Sequence, residues 1–217
     1  MMRIKPATEV MIWGICCVIA LGHWWTQQDF APDTANYLVA AECVLEQGTF
    51  CIRLNWPSGD LEPGLEPYTE YPPGYPLFLS VFWLGTGGNL WLTSLLAHSI
   101  SIIALFGAVA VFLRQARVLW GFRLGAYVGF VLLRPLAGTY SVLQTEPLFI
   151  ALSVAVGIAT LKLLDAPTSR RWWVIGAVFL VASMLVRYAG VANLLWFVFP
   201  VLQLRYWPLK GGRSEER

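Results

Sequence analysis

Two kinds of residue in this chain stand where chemistry is open to them. The first is a set of carboxylates in its one long polar stretch. Between residues 27 and 75 lie Asp29, Asp33, Glu42, Glu46, Asp60, Glu62, Glu66 and Glu70, with Arg53 as the only base, a formal charge of −7. Trp56, Tyr68, Tyr71 and Tyr75 are interleaved with them. Such carboxylates can accept a proton from a hydroxyl or offer oxygen ligands to a divalent cation, although their spacing specifies no metal. The second kind is a set of charges at the ends of apolar runs: Arg134 in LLRPLAG, Glu146 in SVLQTEPLF and Arg187 in MLVRYAG. Charges at membrane depth are costly and often functional. The planar fork of arginine suits phosphate, so Arg187 and Arg134 are candidates to hold an anion at headgroup level, foremost a lipid phosphate. The competing reading is an ion pair, Glu146–Arg187 or Glu146–Arg134, that only ties helices together.

What must position these groups is set by composition. The chain has 217 residues, 57% hydrophobic and 13% charged, with mean hydropathy +0.60. Soluble domains carry about 25% charged residues, and here the apolar residues come in runs of membrane-crossing length. The expected fold is all-α and polytopic, a single membrane domain over residues 1–217. Six apolar segments stand out, at about 10–26, 89–113, 118–138, 145–164, 172–187 and 189–206. Residues 27–88 then form a long extracytoplasmic loop with interfacial helices, and 207–217 a cytoplasmic tail. The last two spans require a tight turn near Arg187-Tyr188-Ala189-Gly190.

Charge distribution orients the chain. Six spans put both termini on one side, and that side collects twelve of the fifteen Lys and Arg residues; Arg53, Arg134 and Arg187 fall on the other. This is the positive-inside pattern, so both termini are expected in the cytoplasm and the protein in the cell (inner or plasma) membrane. The first apolar run ends in GHWWTQQDF with no small-residue cleavage site, which reads as a retained signal anchor, with Trp24 and Trp25 in the interfacial aromatic belt.

Within the loop, PDTANYLVAAECVLEQG places Tyr37, Leu38, Ala41, Val44 and Leu45 on one helical face. Asp33 or Thr34 can cap its N-terminus and Gly48 its C-terminus. Such an amphipathic helix is expected to lie on the membrane surface. Further on, Pro72-Pro73-Gly74-Tyr75-Pro76 forbids a continuous helix and permits a stiff elbow before an apolar helix at 77–84. GTGGN at 85–89 reads as a hinge. The elbow holds Glu66, Glu70 and the tyrosines near the headgroups; interfacial anchoring alone would also account for it. Cys16 and Cys17 read as small apolar fillers of the first span. Cys43 and Cys51 can pair if the loop faces an oxidising compartment, and no cysteine spacing suggests zinc.

The order of these features resembles the GT-C superfamily of integral-membrane glycosyltransferases, most of all the branch of protein O-mannosyltransferases and lipid A aminoarabinose transferases. The residues that carry the resemblance are D-x-x-x-Y-x-x-x-A (Asp33, Tyr37, Ala41), then Gly48 and the PP-x-x-P-L elbow (Pro72, Pro73, Pro76, Leu77). They continue with EPLF at Glu146–Phe149 and an arginine followed by Tyr-Ala-Gly at 187–190. The resemblance implies transfer of a sugar from a polyprenyl-phosphate donor to an acceptor on the extracytoplasmic face, with inversion at the anomeric carbon. It implies Asp33, or Asp29 as the alternative, as the general base. It also implies Arg187 as the donor-phosphate ligand with Arg134 assisting; Glu70, Tyr71 and Glu146 are candidate acceptor or loop contacts.

A second class stays open, a non-catalytic membrane subunit that binds a lipid phosphate or a partner membrane chain. A transporter is disfavoured by the lack of internal repeats and of broken-helix pairs. Basic residues follow topology rather than forming a patch, so nucleic acid is not an expected partner. No strand precedes a phosphate-cradling glycine loop, so a nucleotide-sugar donor is not supported.

Overall fold

The computed structural model of the chain describes residues 6–26, 32–53, 65–67, 71–132 and 143–206. Asp29, Glu70 and Arg134 lie outside the described residues, as do Trp56 and Tyr68. The order is α1 (Pro6–Thr26), α2 (Pro32–Gln47), β1 (Cys51–Arg53), β2 (Leu65–Pro67), α3 (Gly74–Thr86), α4 (Leu90–Gln115), α5 (Trp120–Leu132), α6 (Glu146–Asp165), α7 (Arg170–Val186), a 3₁₀ turn (Tyr188–Ala192) and α8 (Asn193–Tyr206). The helical expectation is met, with one small addition: β1 and β2 pair antiparallel, Ile52 opposite Glu66.

Among the described residues, three helices are long and apolar enough to cross a membrane: Ala7–Thr26, Leu90–Gln115 and Glu146–Asp165, with mean hydropathies of 1.5, 2.3 and 2.1. These match the expected first, second and fourth crossings. The other apolar segments form shorter helices, of 13, 17 and 14 described residues for α5, α7 and α8. Of these, α7 is bounded on both sides by described residues and falls below the ~20 residues of a full crossing.

The core runs along α4 and α6. These two pack side by side, α7 lies against α6, and α1 lies against α4. Ala97, Ile102 and Leu105 of α4 and Val156, Ala159 and Leu163 of α6 are fully or almost fully buried. Cys16 and Cys17 are buried on α1. Trp24 departs from the interfacial expectation. It is fully buried with its ring 4.4 Å from that of His98 on α4, while Trp25 beside it points outward and donates to Ser99 at 3.4 Å. Adjacent helical positions face different ways, so one tryptophan is spent on the α1–α4 seam and the other is left for the interface.

Three expectations about the loop are corrected. First, α2 begins at Pro32, a residue pre-set for the first helical position. Asp33 therefore sits inside the first turn, and neither it nor Thr34 is the N-cap. Second, the apolar face of α2 is not laid on lipid. Tyr37, Leu38, Ala40 and Ala41 are buried, and the helix packs on α3. Third, α3 begins at Gly74 rather than at residue 77, because a proline such as Pro76 is tolerated in a first turn, where no N–H is required of it.

Two turns are made by glycine. Gly48 (φ 69°) ends α2, its N–H bonding the carbonyl of Val44 at 3.1 Å. Gly87 and Gly88 (φ 63° and 82°) reverse the chain between α3 and α4, a conformation other residues enter at a cost. Asn89 then caps α4, its side chain accepting from the Leu92 N–H at 3.0 Å. Cys43 and Cys51 form a disulfide, Cα atoms 5.8 Å apart, that ties the end of α2 to β1.

Candidate functional site

Four segments far apart in sequence meet at one cavity of about 270 Å³. The first turns of α2 supply Asp33 and Tyr37, and the bend before α3 supplies Tyr71 and Pro72. The approach to α6 gives Gln144, Thr145 and Glu146; the junction after α7 gives Val186, Arg187, Tyr188 and Ala189.

Local structure explains the placement. The Thr34 hydroxyl is buried and donates to the Leu143 carbonyl at 2.7 Å, which pins α2 to the strand of chain leading into α6. Asp33, one residue earlier, is thereby held over the start of α6. Glu146 is the first residue of α6, with Pro147 behind it, so the carboxylate stands at the helix N-terminus, where the backbone dipole favours it. Arg187 lies just past α7 in extended backbone (φ −154°, ψ 132°). Its N–H reaches the Ser183 carbonyl at 3.0 Å, and its carbonyl accepts from the Gly190 N–H at 2.8 Å. The 3₁₀ turn closes tightly on α7. A Cβ on Gly190 would come within 2.5 Å of the Ser183 backbone, so only glycine fits.

The polar contacts are few and specific. Tyr71 donates its hydroxyl to Asp33 Oδ1 at 2.8 Å. Arg187 Nη1 donates to Glu146 Oε1. The guanidinium also lies over the Phe149 ring, 6.0 Å from its centroid. The Arg187 side chain keeps 43% of its surface exposed and lines the cavity. Tyr37 stands edge-on to Tyr71 (5.3 Å) and to the fully buried Tyr75 (5.0 Å). Burial, helped by the negative charge of Asp33, pushes the Tyr37 phenol up to about 12; Tyr71 and Glu146 add to this and Arg187 opposes it. Burial raises the Tyr75 phenol further.

Of the residues expected at a site, Asp33, Tyr71, Glu146 and Arg187 converge on this cavity. The Glu146–Arg187 pairing weighed from the sequence is formed. Sequence reasoning did not assign Tyr37, Thr34, Gln144 or Thr145 to the site. Tyr37 carried a signal, since it sits four residues after Asp33 and so on the same helical face. Gln144 and Thr145 carried none, because their place depends on a tertiary contact. Glu9 was also missed: it is buried at the start of α1 and meets Arg114, Arg123 and Tyr127. Among the described residues, no three His, Cys, Asp or Glu side chains gather where they could hold a metal ion.

Chemically, the cavity offers a carboxylate oriented by a phenol, and a half-open guanidinium already neutralised by a second carboxylate. An anion reaching Arg187 must share it with Glu146. A hydroxyl reaching Asp33 finds a proton acceptor. Comparison with known proteins adds no further constraint: no family model, no curated protein and no solved structure matches this chain.

Proposed function

We propose that this chain is a membrane glycosyltransferase of GT-C character that moves a sugar from a polyprenyl-phosphate donor to an acceptor hydroxyl on the extracytoplasmic face. The observation that carries the reading is the meeting of Asp33 and Arg187 at one cavity, from positions more than 150 residues apart in the chain. In this reading the acceptor oxygen attacks the anomeric carbon and its proton passes to the Asp33 carboxylate. The bond from that carbon to the phosphate oxygen breaks, and its electron pair leaves with the lipid phosphate. Arg187 stabilises the charge gained there, and Tyr71 keeps the Asp33 carboxylate turned toward the acceptor.

Six crossings, with both termini cytoplasmic, are part of this proposal. So is an extracytoplasmic place for the α2–α3 region, which agrees with a Cys43–Cys51 disulfide. An apolar recess of about 320 Å³ between α6 and α8, with Gly157, Leu164 and Phe199 in its wall, adds support. A smaller one shares Gly157 and Trp196 with it and reaches up to Ser153, two turns below Glu146. A long isoprenoid chain anchored by its phosphate at Arg187 has room to descend there.

The second reading, a non-catalytic subunit that binds a lipid phosphate, is favoured by one feature: Glu146 already occupies part of Arg187. Transfer decides between them. Purified protein given polyprenyl-phosphate hexose and a panel of hydroxyl acceptors should release polyprenyl phosphate and form product of inverted anomeric configuration. Donor binding without release under any acceptor would leave only the binding-subunit reading.

A further inference from the structure

We propose that Arg114 and Arg123 form a second site, for a phosphate-bearing anion, at the membrane face opposite the Asp33–Arg187 cavity. The location follows from helix geometry. Glu9 lies about 25 Å along α1 from Thr26, at 1.5 Å per residue. Arg114 is in the last turn of α4 and Arg123 in the first turns of α5. All three are therefore at the ends of their helices remote from α2, at headgroup depth on the basic side of the membrane.

The cluster does not close on itself. Three groups meet one oxygen, Glu9 Oε1: Arg123 Nη1 at 3.1 Å and Arg114 Nε at 3.3 Å as ion pairs, and the Tyr127 hydroxyl, which donates at 3.1 Å. One buried carboxylate thus faces two guanidiniums, and a full positive charge is left over. A guanidinium carries five N–H donors, so most of the ten stay available. Arg123 Nε is buried and has no hydrogen-bond partner among the described residues; leaving such a donor unmet is costly. The Arg123 guanidinium is steadied over the Trp120 ring, 5.8 Å from its centroid. The Arg114 side chain is 44% exposed and gives the site its opening. Arg117, three residues after Arg114, is exposed in the α4–α5 turn with φ 55°. Basic pockets between helices on the cytoplasmic side suit anionic lipid headgroups, and Glu9 here neutralises only one of the two arginines.

The test uses the full chain in nanodiscs, with native mass spectrometry counting retained lipid. Phosphatidylglycerol is compared with phosphatidylcholine, and inorganic phosphate is added as a soluble competitor. Wild type should retain phosphatidylglycerol preferentially. Arg114→Gln, at an exposed position where folding is safe, should lower that retention about fivefold. Glu9→Gln should keep or raise it, since it removes the competing carboxylate. Displacement by inorganic phosphate assigns the site to soluble phosphates, and preference without displacement assigns it to lipid headgroups. Equal retention of both lipids with no effect of phosphate overturns the proposal. So does an Arg114→Gln protein that is unchanged, or a folded Glu9→Gln protein that loses the preference, because arginines freed of their carboxylate would then not be what draws the anion.

Discussion

Asp33 accepts from Tyr71 and stands one turn from Tyr37, and these two neighbours govern what it can do. Asp33→Asn keeps the size and removes the base. Transfer should fall by roughly 10²–10⁴-fold with donor affinity unchanged, measured as polyprenyl phosphate released against donor bound. Tyr71→Phe keeps the ring and removes the hydrogen bond, which should cost about 1 kcal/mol, read as a roughly fivefold slower transfer. Tyr37 makes a different prediction. Its phenol ionises at about 12 here, against 10.0 ordinarily. A raised acid favours the protonated folded state, so the docking of α2 is at full strength below pH 10 and is lost as pH rises toward 12. Tyrosinate ultraviolet absorption and loss of donor binding should rise together in that window. Arg187 was legible in the sequence because a charge at the end of an apolar run is rare and conspicuous, and Asp33 through its place in the D-x-x-x-Y-x-x-x-A pattern. Their meeting was expected from the resemblance and the shared side of the membrane, but what fixes it was not legible: the buried Thr34–Leu143 bond is tertiary, and a lone threonine announces nothing.

Among the elements, the α2–α3 unit must hold its Asp33–Tyr71 edge against the bundle, and one glycine permits it. A Cβ on Gly74 would stand 2.6 Å from the Leu185 backbone, where nothing can yield cheaply. Gly74→Ala should push α3 off the end of α7 and lower stability by about 1–3 kcal/mol, seen as a lower unfolding temperature in detergent; an unchanged midpoint would show that the two helices do not touch. The disulfide closes a loop eight residues apart in sequence. Reduction, or Cys43→Ala with Cys51→Ala, should cost about 2–3 kcal/mol on the chain-entropy account. Protease cleavage near β1 should then precede global unfolding. The helix over 32–47 was readable from its period-3.6 face and its closing glycine. What covers that face was not: an apolar stripe reads the same whether it meets lipid or α3. Trp24 and Trp25 illustrate the same limit, one packed on His98 and one turned outward.

At the scale of the whole molecule, Ala7–Thr26, Leu90–Gln115 and Glu146–Asp165 announce themselves through length and hydropathy alone. The shorter α5, α7 and α8 do not, and their crossing rests on the charge pattern between them. Reporters fused at the two termini should both be accessible only from the cytoplasmic side; opposite accessibility would remove the topology on which the site's outward face depends. The central claim is that one cavity joins a lipid phosphate to a proton acceptor. Its most direct test is the binding of polyprenyl-phosphate hexose to purified protein in nanodiscs, comparing wild type, Arg187→Ala and Asp33→Asn. Wild type and Asp33→Asn should bind alike, and Arg187→Ala should bind at least tenfold more weakly, a single charged hydrogen-bonded contact being worth about 1.5–3 kcal/mol. Equal binding by all three, or by none, would contradict the account.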